Sequence, residues 1–254
     1  MQRQLISIVM PAKDSAATIE SSIFSVLAQT YKNFELLICD DGSTDSTIQI
    51  IKSFNDSRIK LIKNNIQSGA WAARNSCINE ASGKYIAFLD SDDLWAPAKL
   101  ETQLNFMHAN NISFSYGDYH IFNSSDIAGT FKAPNSVSYV QLCRKCDIGC
   151  LTVMLNASAI DKVVMPNIKK EDYATWLKIL KHEKITAYRY PGVLASYRIG
   201  DKSLSSNKLI EITRQYNVLR SIAELSFIKS ALCISIYAFS GIYKHLFKYK
   251  KHEY

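Results

Sequence analysis

Short apolar runs alternate with amphipathic segments over the first 110 residues of the chain. Each run is rich in Ile, Leu, Val or Phe and is short enough for a single buried strand. The predicted strands occupy residues 5–10, 34–39, 59–62 and 85–89. The predicted helices run from Ser15, as the N-cap, to about Thr30, then after residue 45, and over residues 70–81. This alternation predicts a parallel sheet with helices on both of its faces.

The pattern is less regular beyond residue 97. A helix starting near Pro97 is expected to end at about Asn110, and residues 123–137 are polar with little periodicity, which is typical of a loop. The further predictions are strands at 112–122, near 150–155 and within 185–199, and a helix at 172–182. No linker or repeat divides these segments. We therefore expect one α/β domain over residues 1–200, followed by a helical tail.

The tail carries most of the chain's charge imbalance. Residues 201–254 hold nine Lys or Arg against four Asp or Glu, a balance of +5 out of the net +7 of the whole chain. A local basic excess favours contact with an anionic surface such as phospholipid or nucleic acid, and the alternative is a single compact basic patch without such a partner. A long helical region is predicted over residues 207–226, and residues 230–243 form an uncharged, mostly apolar stretch.

As a helix, this apolar stretch would span about 21 Å, which is too short to cross the hydrocarbon core of a bilayer. We expect instead an interfacial helix, with basic and aromatic residues interleaved along it and beyond it. These residues are Tyr237, Phe239, Tyr243, Lys244, His245, Phe247, Lys248, Tyr249, Lys250 and Lys251. The alternative is a helix that packs on the protein's own body or on a partner subunit.

The start of the chain and the scattered cysteines indicate a reducing compartment. Residues 1–4 lead directly into a predicted strand without the pattern of a signal peptide. The six cysteines are therefore expected to be free thiols of a cytoplasmic protein. Cys143, Cys146 and Cys150 allow a zinc site as an alternative, but no fourth ligand lies near them in sequence.

Two acidic clusters directly follow predicted buried strands. Asp40 and Asp41 follow the strand at 34–39, and Asp90, Asp92 and Asp93 follow the strand at 85–89. Open α/β sheets bind ligands at such strand ends. Asp90 and Asp92 point the same way if the strand persists, and such a pair suits a hard divalent cation that also binds phosphate oxygens. The second cluster therefore predicts a metal-held nucleotide diphosphate, although Asp93 alone equally suits a helix cap, and an Asp-Gly pair after Asp40 suits a turn.

Several short strings, in this order and spacing, resemble the signatures of family 2 glycosyltransferases. They occur at residues 8–14 (IVMPAKD), 39–45 (CDDGSTD), 73–75 (ARN), 88–93 (FLDSDD), 171–173 (EDY) and 197–198 (YR). The resemblance covers about residues 5–200. It implies the GT-A fold, with a nucleotide-binding half to about residue 110 and an acceptor-binding half over 111–200. The chain departs from the family at Lys13-Asp14, where Tyr-Asn is frequent, in a loop that the resemblance places beside the nucleotide.

The resemblance implies a set of donor-binding residues. Pro11 and Asp41 would line the uracil site, and Asp14, Asp40 and Arg74 would lie close by. Asp90 would contact the nucleotide sugar or a metal-bound water, and Asp92 would bind Mn²⁺ or Mg²⁺. Arg74 suits a diphosphate because its charge is permanent, and its alternative is a salt bridge on a helix surface.

The resemblance also implies the groups that meet the acceptor. Asp172 would be the general base that deprotonates the attacking hydroxyl, with Glu171 orienting it or holding another hydroxyl. Trp95 would form the floor of the acceptor site, and Arg198 belongs to the late Tyr-Arg motif. The alternatives are a buried aromatic at Trp95 and, for the two acids, a helix start favoured by the macrodipole.

Together these features predict an inverting glycosyltransferase that moves a hexose from a UDP-sugar to a lipid-linked saccharide. Such a bacterial enzyme would assemble polysaccharide or O-antigen at the inner face of the cytoplasmic membrane, and no nucleic-acid partner is expected. One alternative is a degenerate sugar- or nucleotide-binding scaffold. The other is an oxidoreductase on a dinucleotide-binding fold, which is disfavoured because the loop after the first strand lacks glycine.

Overall fold

The first half of the protein is a four-stranded parallel sheet. The computed structural model describes residues 4–64, 69–123, 126–199 and 208–247. The strands are β1 (Ile6–Ala12), β2 (Phe34–Asp40), β3 (Ile59–Lys63) and β4 (Tyr85–Phe88). They lie in the order β3-β2-β1-β4, and every neighbouring pair is parallel. The predicted strands and their parallel arrangement are confirmed.

Helices cover both faces of this sheet because its strands are apolar on both sides. The helices are α1 (Ile19–Leu27), α2 (Thr47–Ser53), α3 (Ala70–Glu80) and α4 (Lys99–Ala109). Ile8 and Met10 of β1 belong to the core that includes α1 and α4. Val9, between them, belongs to the opposite core, which includes α3 and Trp176. Successive strand residues thus point into different cores, as the pleat requires.

The second half extends the same sheet and mixes strand directions. Its strands are β5 (Leu94–Trp95), β6 (Phe114–Phe122), β7 (Ile127–Phe131), β8 (Ser136–Val137), β9 (Met154–Asn156) and β10 (Ala187–Arg198). The main order continues from β4 as β9-β6-β10-β5, with β7 on β6 and β8 on β10. Strand β9 is antiparallel to both of its neighbours, whereas β6 and β10 are parallel. One sheet therefore joins the two halves.

The remaining helices are α5 (Tyr139–Arg144), α6 (Glu171–His182), α7 (Lys208–Ser221) and α8 (Phe227–Phe247). Helix α6 matches the prediction closely. The long helix predicted over 207–226 corresponds to α7, which ends earlier, at Ser221, and α8 begins at Phe227, after the predicted range. Helix α5 was not predicted, and it starts with a capping box between Ser138 and Gln141.

Three sequence predictions need correction. The predicted loop at 123–137 contains β7 and β8, which form by pairing with longer strands and have no periodicity of their own. The strand predicted near 150–155 starts as a 3-10 helix at Cys150–Thr152. Helix α1 begins at Ile19 and not at Ser15, whose hydroxyl bonds the Ser91 hydroxyl at 2.8 Å and whose carbonyl accepts from the amides of the following turn.

The C-terminal helices pack against the body of the protein. The Tyr139 hydroxyl donates to the carbonyl of Ala223 at 3.0 Å, and Ser230 of α8 is fully buried. The opposite side of α8 exposes 68% of Phe227, 78% of Ile228 and 59% of Leu232. We call these three residues the apolar strip of α8.

No helix in the described parts of the chain is long and apolar enough to cross a membrane. The predicted basic and aromatic residues Lys248, Tyr249, Lys250 and Lys251 lie outside the described residues. The division of the chain at residue 200 stays a prediction.

The cysteines are free thiols. Cys143 and Cys150 are buried, and burial raises the pKa of Cys143 to about 11. Within the described ranges, no group of three or more His, Cys, Asp or Glu side chains could hold a metal ion by itself. The zinc alternative therefore has no ligand cluster to support it.

Candidate active site

The two acidic clusters lie at the same edge of the sheet. Ala12 is in register with Asp40 at the carboxyl ends of β1 and β2, and Asp90 follows the parallel strand β4. The carboxyl ends of parallel strands meet at one edge, so the sheet itself gathers these acids. The site is built onto this edge by residues from α3, α6 and β10.

Arg74 of α3 links the second acidic cluster to the start of α6. Arg74 is only 6% exposed. Its guanidinium donates to Asp90 Oδ1 at 2.5 Å and to Glu171 Oε1 at 2.6 Å. Burial acts against the guanidinium charge, but Asp90, Glu171 and Asp172 together raise the pKa of Arg74 well above its usual value. Arg74 is thus a permanent, buried cation at the centre of the site, and not part of a surface salt bridge.

Asp172 lies in the first turn of α6, next to the glutamate that Arg74 binds. Burial is the main cause that raises the pKa of Asp172, Glu171 and Asp90 add to the rise, and Arg74 opposes it. A carboxylate with a raised pKa is a stronger base than an ordinary aspartate. The helix macrodipole also favours acids here, so position alone does not assign the role.

Asp93 is a buried acid that positions the last part of β10. It is 1% exposed, and its Oδ1 accepts from the main-chain amide of Arg198 at 2.9 Å. Burial raises the pKa of Asp93 well above its usual value, and Asp90 and Asp92 raise it further. Asp93 does not cap the following helix, since the N-cap of α4 is Ala98. The helix-cap alternative is therefore wrong.

Asp92 is exposed to solvent, whereas the next residue, Asp93, is buried. Protein atoms around its carboxylate restrict hydration, which raises the pKa of Asp92, and the charge of Asp90 raises it further. The Arg198 side chain donates to the Asp92 carbonyl oxygen at 2.8 Å and packs over the ring of Phe122. Arg198 therefore supports the main chain at Asp92, and its charge partly offsets the rise in the pKa of that carboxylate.

The first acidic cluster organises the loops beside β1. Asp40 accepts from the amides of Gly42 and Ser43, which are the bonds of a turn. Asp41 is 3% exposed and accepts from the Asn64 side chain at 2.7 Å and from the Gly69 amide at 2.9 Å. It thereby ties the end of β3 to the start of α3.

Asp14 and Pro11 lie at the other wall of this loop region. Asp14 has a positive φ of 45° and its carboxylate accepts from the Thr44 amide at 2.8 Å. Pro11 is the partly exposed residue near the end of β1, in register with Cys39. All of the residues implied for the nucleotide thus lie at the carboxyl edge of the sheet or on α3.

Trp95 does not form an accessible floor. It is 4% exposed, its indole nitrogen donates to the Leu151 carbonyl at 2.8 Å, and the Lys99 ammonium lies 3.7 Å from the ring centroid. The expectation of an acceptor floor at Trp95 is wrong because the side chain belongs to the buried core and is closed off from solvent. The buried-aromatic alternative holds.

Tyr197 is the aromatic residue that sequence reasoning left without a role. It is 40% exposed and meets the ring of Tyr119 edge-on at 6.1 Å. Burial of its hydroxyl raises the pKa of Tyr197, and Asp93, Asp92, Asp90 and Asp172 all raise it further. Its hydroxyl is therefore within electrostatic reach of the second acidic cluster and of Asp172. Its neighbour Arg198 signalled the position, but only the sheet shows that Tyr197 faces the acids.

The protein is of the α/β class and gathers carboxylates and a buried arginine at the carboxyl edge of its sheet, and comparison with known proteins gives its family. The family model "Glycosyl transferase family 2" matches residues 7–134. The chain belongs to this family. The predicted oxidoreductase alternative is therefore wrong.

Two relatives that match over nearly their whole length are bacterial glucosyltransferases. The chain is 46% identical to a UDP-Glc:alpha-D-GlcNAc-diphosphoundecaprenol beta-1,3-glucosyltransferase, WfgD of Escherichia coli, over 98% of each chain. It is 42% identical to WfaP of the same species, which bears the same enzyme name, over 97% of this chain and 98% of that one.

Solved structures confirm the GT-A fold. S. aureus TarS in complex with UDP-GlcNAc matches with a TM-score of 0.68 and 15% identity, covering 95% of this chain and 73% of that chain. The mannosyltransferase PcManGT from Pyrobaculum calidifontis, in complex with GDP-Man and Mn2+, matches with a TM-score of 0.70 and 14% identity, covering 97% and 71%.

Proposed function

We propose that the protein transfers glucose from UDP-glucose to α-D-GlcNAc-diphosphoundecaprenol and forms a β-1,3 linkage. The observation that carries this proposal is the bridge made by Arg74, which brings Asp90 of the donor side next to the acids that start α6. The names of two relatives with full-length similarity support the choice of donor and acceptor. The enzyme would work in the assembly of O-antigen or a related polysaccharide.

Asp172 acts as the general base in this proposal. Its carboxylate takes the proton of the acceptor hydroxyl while the hydroxyl oxygen bonds to the anomeric carbon of glucose. The bond between that carbon and the diphosphate breaks in the same displacement, and UDP leaves with the electron pair. One displacement inverts the α-linked donor into a β-linked product. The raised pKa of Asp172 supports this role because it makes the carboxylate a better proton acceptor.

Arg74 has two roles in the proposal. It holds Glu171 and therefore the first turn of α6, and it supplies positive charge near the donor diphosphate. Pro11, Asp14, Asp40 and Asp41 would form the nucleotide site at the neighbouring strand ends. Asp41 still has lone pairs for a base N–H, although both of its oxygens already accept one bond each.

Mn²⁺ or Mg²⁺ fits the second acidic cluster. Asp92 is an exposed carboxylate, whose hard oxygens suit such an ion, and Asp90 adds negative charge near it. Asp92, with Asp90 beside it, would hold the cation. When bound, the ion would offset the charge of the diphosphate as UDP leaves.

Tyr197 would contact the acceptor sugar in place of Trp95. It is the exposed aromatic beside the acids, and its ring is supported by Tyr119, which stacks on Phe131 with centroids 4.9 Å apart. A sugar ring has apolar C–H faces that suit an aromatic surface.

The protein would act at the cytoplasmic face of a membrane, where a polyprenol-linked acceptor resides. The apolar strip of α8 supports this proposal, because a helix that packs on its own protein normally exposes polar residues on its outer side. The +5 balance of residues 201–254 supports attraction to anionic lipid. Contact would be interfacial, with the strip embedded among the headgroups.

Asp172→Asn should abolish transfer without abolishing donor binding. With UDP-glucose and α-D-GlcNAc-diphosphoundecaprenol, the wild type should form disaccharide-linked lipid, and the variant should lose at least about 10²-fold in kcat. Its affinity for UDP should stay within about threefold, because Asp172 bonds the acceptor and not the nucleotide. Product formation is measured by chromatography of the lipid and UDP affinity by calorimetry.

Two outcomes would contradict this account. Wild-type protein that binds UDP but transfers no sugar from any UDP-hexose would indicate the degenerate scaffold. An active wild type together with an equally active Asp172→Asn variant would remove Asp172 from the role of base.

Asp92→Ala should weaken UDP binding only when a divalent cation is present. We expect at least about a tenfold loss of UDP affinity in Mn²⁺, or roughly 1.4 kcal/mol, and little change in EDTA. Asp161→Ala, at an exposed acid on another surface, is the matched control. Calorimetric titrations with and without Mn²⁺ measure the difference. Equal affinities of the wild type and the Asp92 variant in Mn²⁺ would reject Asp92 as a ligand.

Replacing the apolar strip of α8 by serine should release the protein from membranes. For the triple variant at Phe227, Ile228 and Leu232, co-sedimentation with phosphatidylglycerol vesicles should fall at least about tenfold, because burial of each side chain contributes about 1.5–3 kcal/mol. The control triple variant carries serine at Ile127, Val140 and Val164, which are exposed on the body. Equal sedimentation of the strip variant and the wild type would show that the strip does not bind lipid.

A further inference from the structure

Lys170 stands directly before the two acids of α6 in a strained backbone conformation. Its φ is 64° and its ψ is 46°, which is the left-handed region, and no side chain caps this helix start. This conformation is unfavourable for an L-residue other than glycine, because the Cβ atom crowds the following carbonyl oxygen. Interactions elsewhere must therefore hold Lys170 in place.

Those interactions come from the two C-terminal helices. The Lys170 ammonium lies 3.1 Å from Oε1 of Gln215 and 3.3 Å from Oε2 of Glu211, both on α7. It also lies 5.2 Å from the ring centroid of Tyr237 on α8. Its side chain is only 15% exposed, so solvent screens these contacts less than it would at the surface.

Glu171, the residue after Lys170, is held by a part of the protein other than the C-terminal helices. Glu171 is bound by Arg74 of α3, which also binds Asp90 of the donor side. Two consecutive side chains at the start of α6 thus reach different parts of the molecule, and Asp172 follows them directly. The Lys170 carbonyl also accepts the helix bond from the amide of Ala174 at 3.0 Å, so movement at Lys170 moves the turn that carries Asp172.

The geometry points to Lys170 as a positioning residue, through which α7 and α8 fix the place of the Asp172 carboxylate. The inference rests on the proposed function, because it takes Asp172 as the base. The tail is then more than an attachment to the membrane, since α8 carries the apolar strip on one side and contacts Lys170 on the other. A base displaced by about 1 Å can lose up to about 10²-fold in rate.

Lys170→Met tests the inference, because methionine keeps most of the side-chain volume and loses the charge. We expect kcat to fall about tenfold or more while the KM for UDP-glucose stays within about threefold. Lys170→Arg, which keeps a charge able to bond Glu211, should recover most of the loss. Lys178→Met is the matched control, since Lys178 is an exposed lysine of the same helix.

Hydrogen exchange gives a second readout that does not depend on activity. In Lys170→Met, amides of the first turn of α6 should exchange at least about tenfold faster than in the wild type, and Lys178→Met should leave them unchanged. Glu211→Gln keeps Lys170 itself and should shift kcat and exchange in the same directions. If Lys170→Met does not fold, Glu211→Gln tests the inference in its place.

Unchanged exchange in Lys170→Met and in Glu211→Gln would overturn the inference whether or not the protein transfers sugar. Faster exchange with full kcat in an active enzyme would also overturn it, because Lys170 would then be structural only. Absence of transfer by the wild type, with faster exchange in the variants, would instead count against the proposed function alone.

Discussion

Arg74 places a guanidinium between carboxylates from two distant parts of the chain. Asp90 follows strand β4 in the first half, and Glu171 is the first residue of helix α6 in the second half. Buried charges of this kind are unfavourable unless they are paired, and removing one partner of a buried pair typically destabilises a protein by about 3–5 kcal/mol. The spatial relation between the proposed metal ligands and the proposed base therefore depends on this one cation.

The acids around Arg74 outnumber the cations that face them. Asp92, Asp93 and Asp172 all have raised pKa values, because protein atoms restrict the hydration of each carboxylate and neighbouring carboxylates raise the pKa further. Such repulsion is tolerated at a site where a ligand supplies the missing charge or where a proton is taken up. The proposed mechanism uses both: a cation at Asp92 and a proton received by Asp172.

Much of the fold and of the site could be predicted from local patterns. Apolar runs in the sequence predict strands β1 to β4. The acids that directly follow two of these strands indicate a ligand-binding edge of the sheet. Strands β7 and β8 could not be predicted, because they are short or exposed and exist through pairing with β6 and β10. The prediction that Trp95 forms the acceptor floor was wrong, because the sequence does not show whether an aromatic residue beside an acidic motif is buried or exposed.

Contacts between residues far apart in the chain also could not be predicted from the sequence. The family resemblance placed Arg74 near a diphosphate, yet its bond to Glu171 spans 97 residues and depends on the sheet that unites the halves. Lys170 has no sequence signal at all, since its partners belong to helices that follow β10.

A double-mutant cycle tests the central claim that Arg74 and Glu171 join the two halves. The unfolding free energies of wild type, Arg74→Gln, Glu171→Gln and the double variant are measured in urea, with EDTA present. The account predicts a coupling free energy of at least about 1 kcal/mol, with the double variant less destabilised than the sum of the single variants. Destabilisations that add to within about 0.3 kcal/mol would show that the two side chains do not interact, and would contradict it.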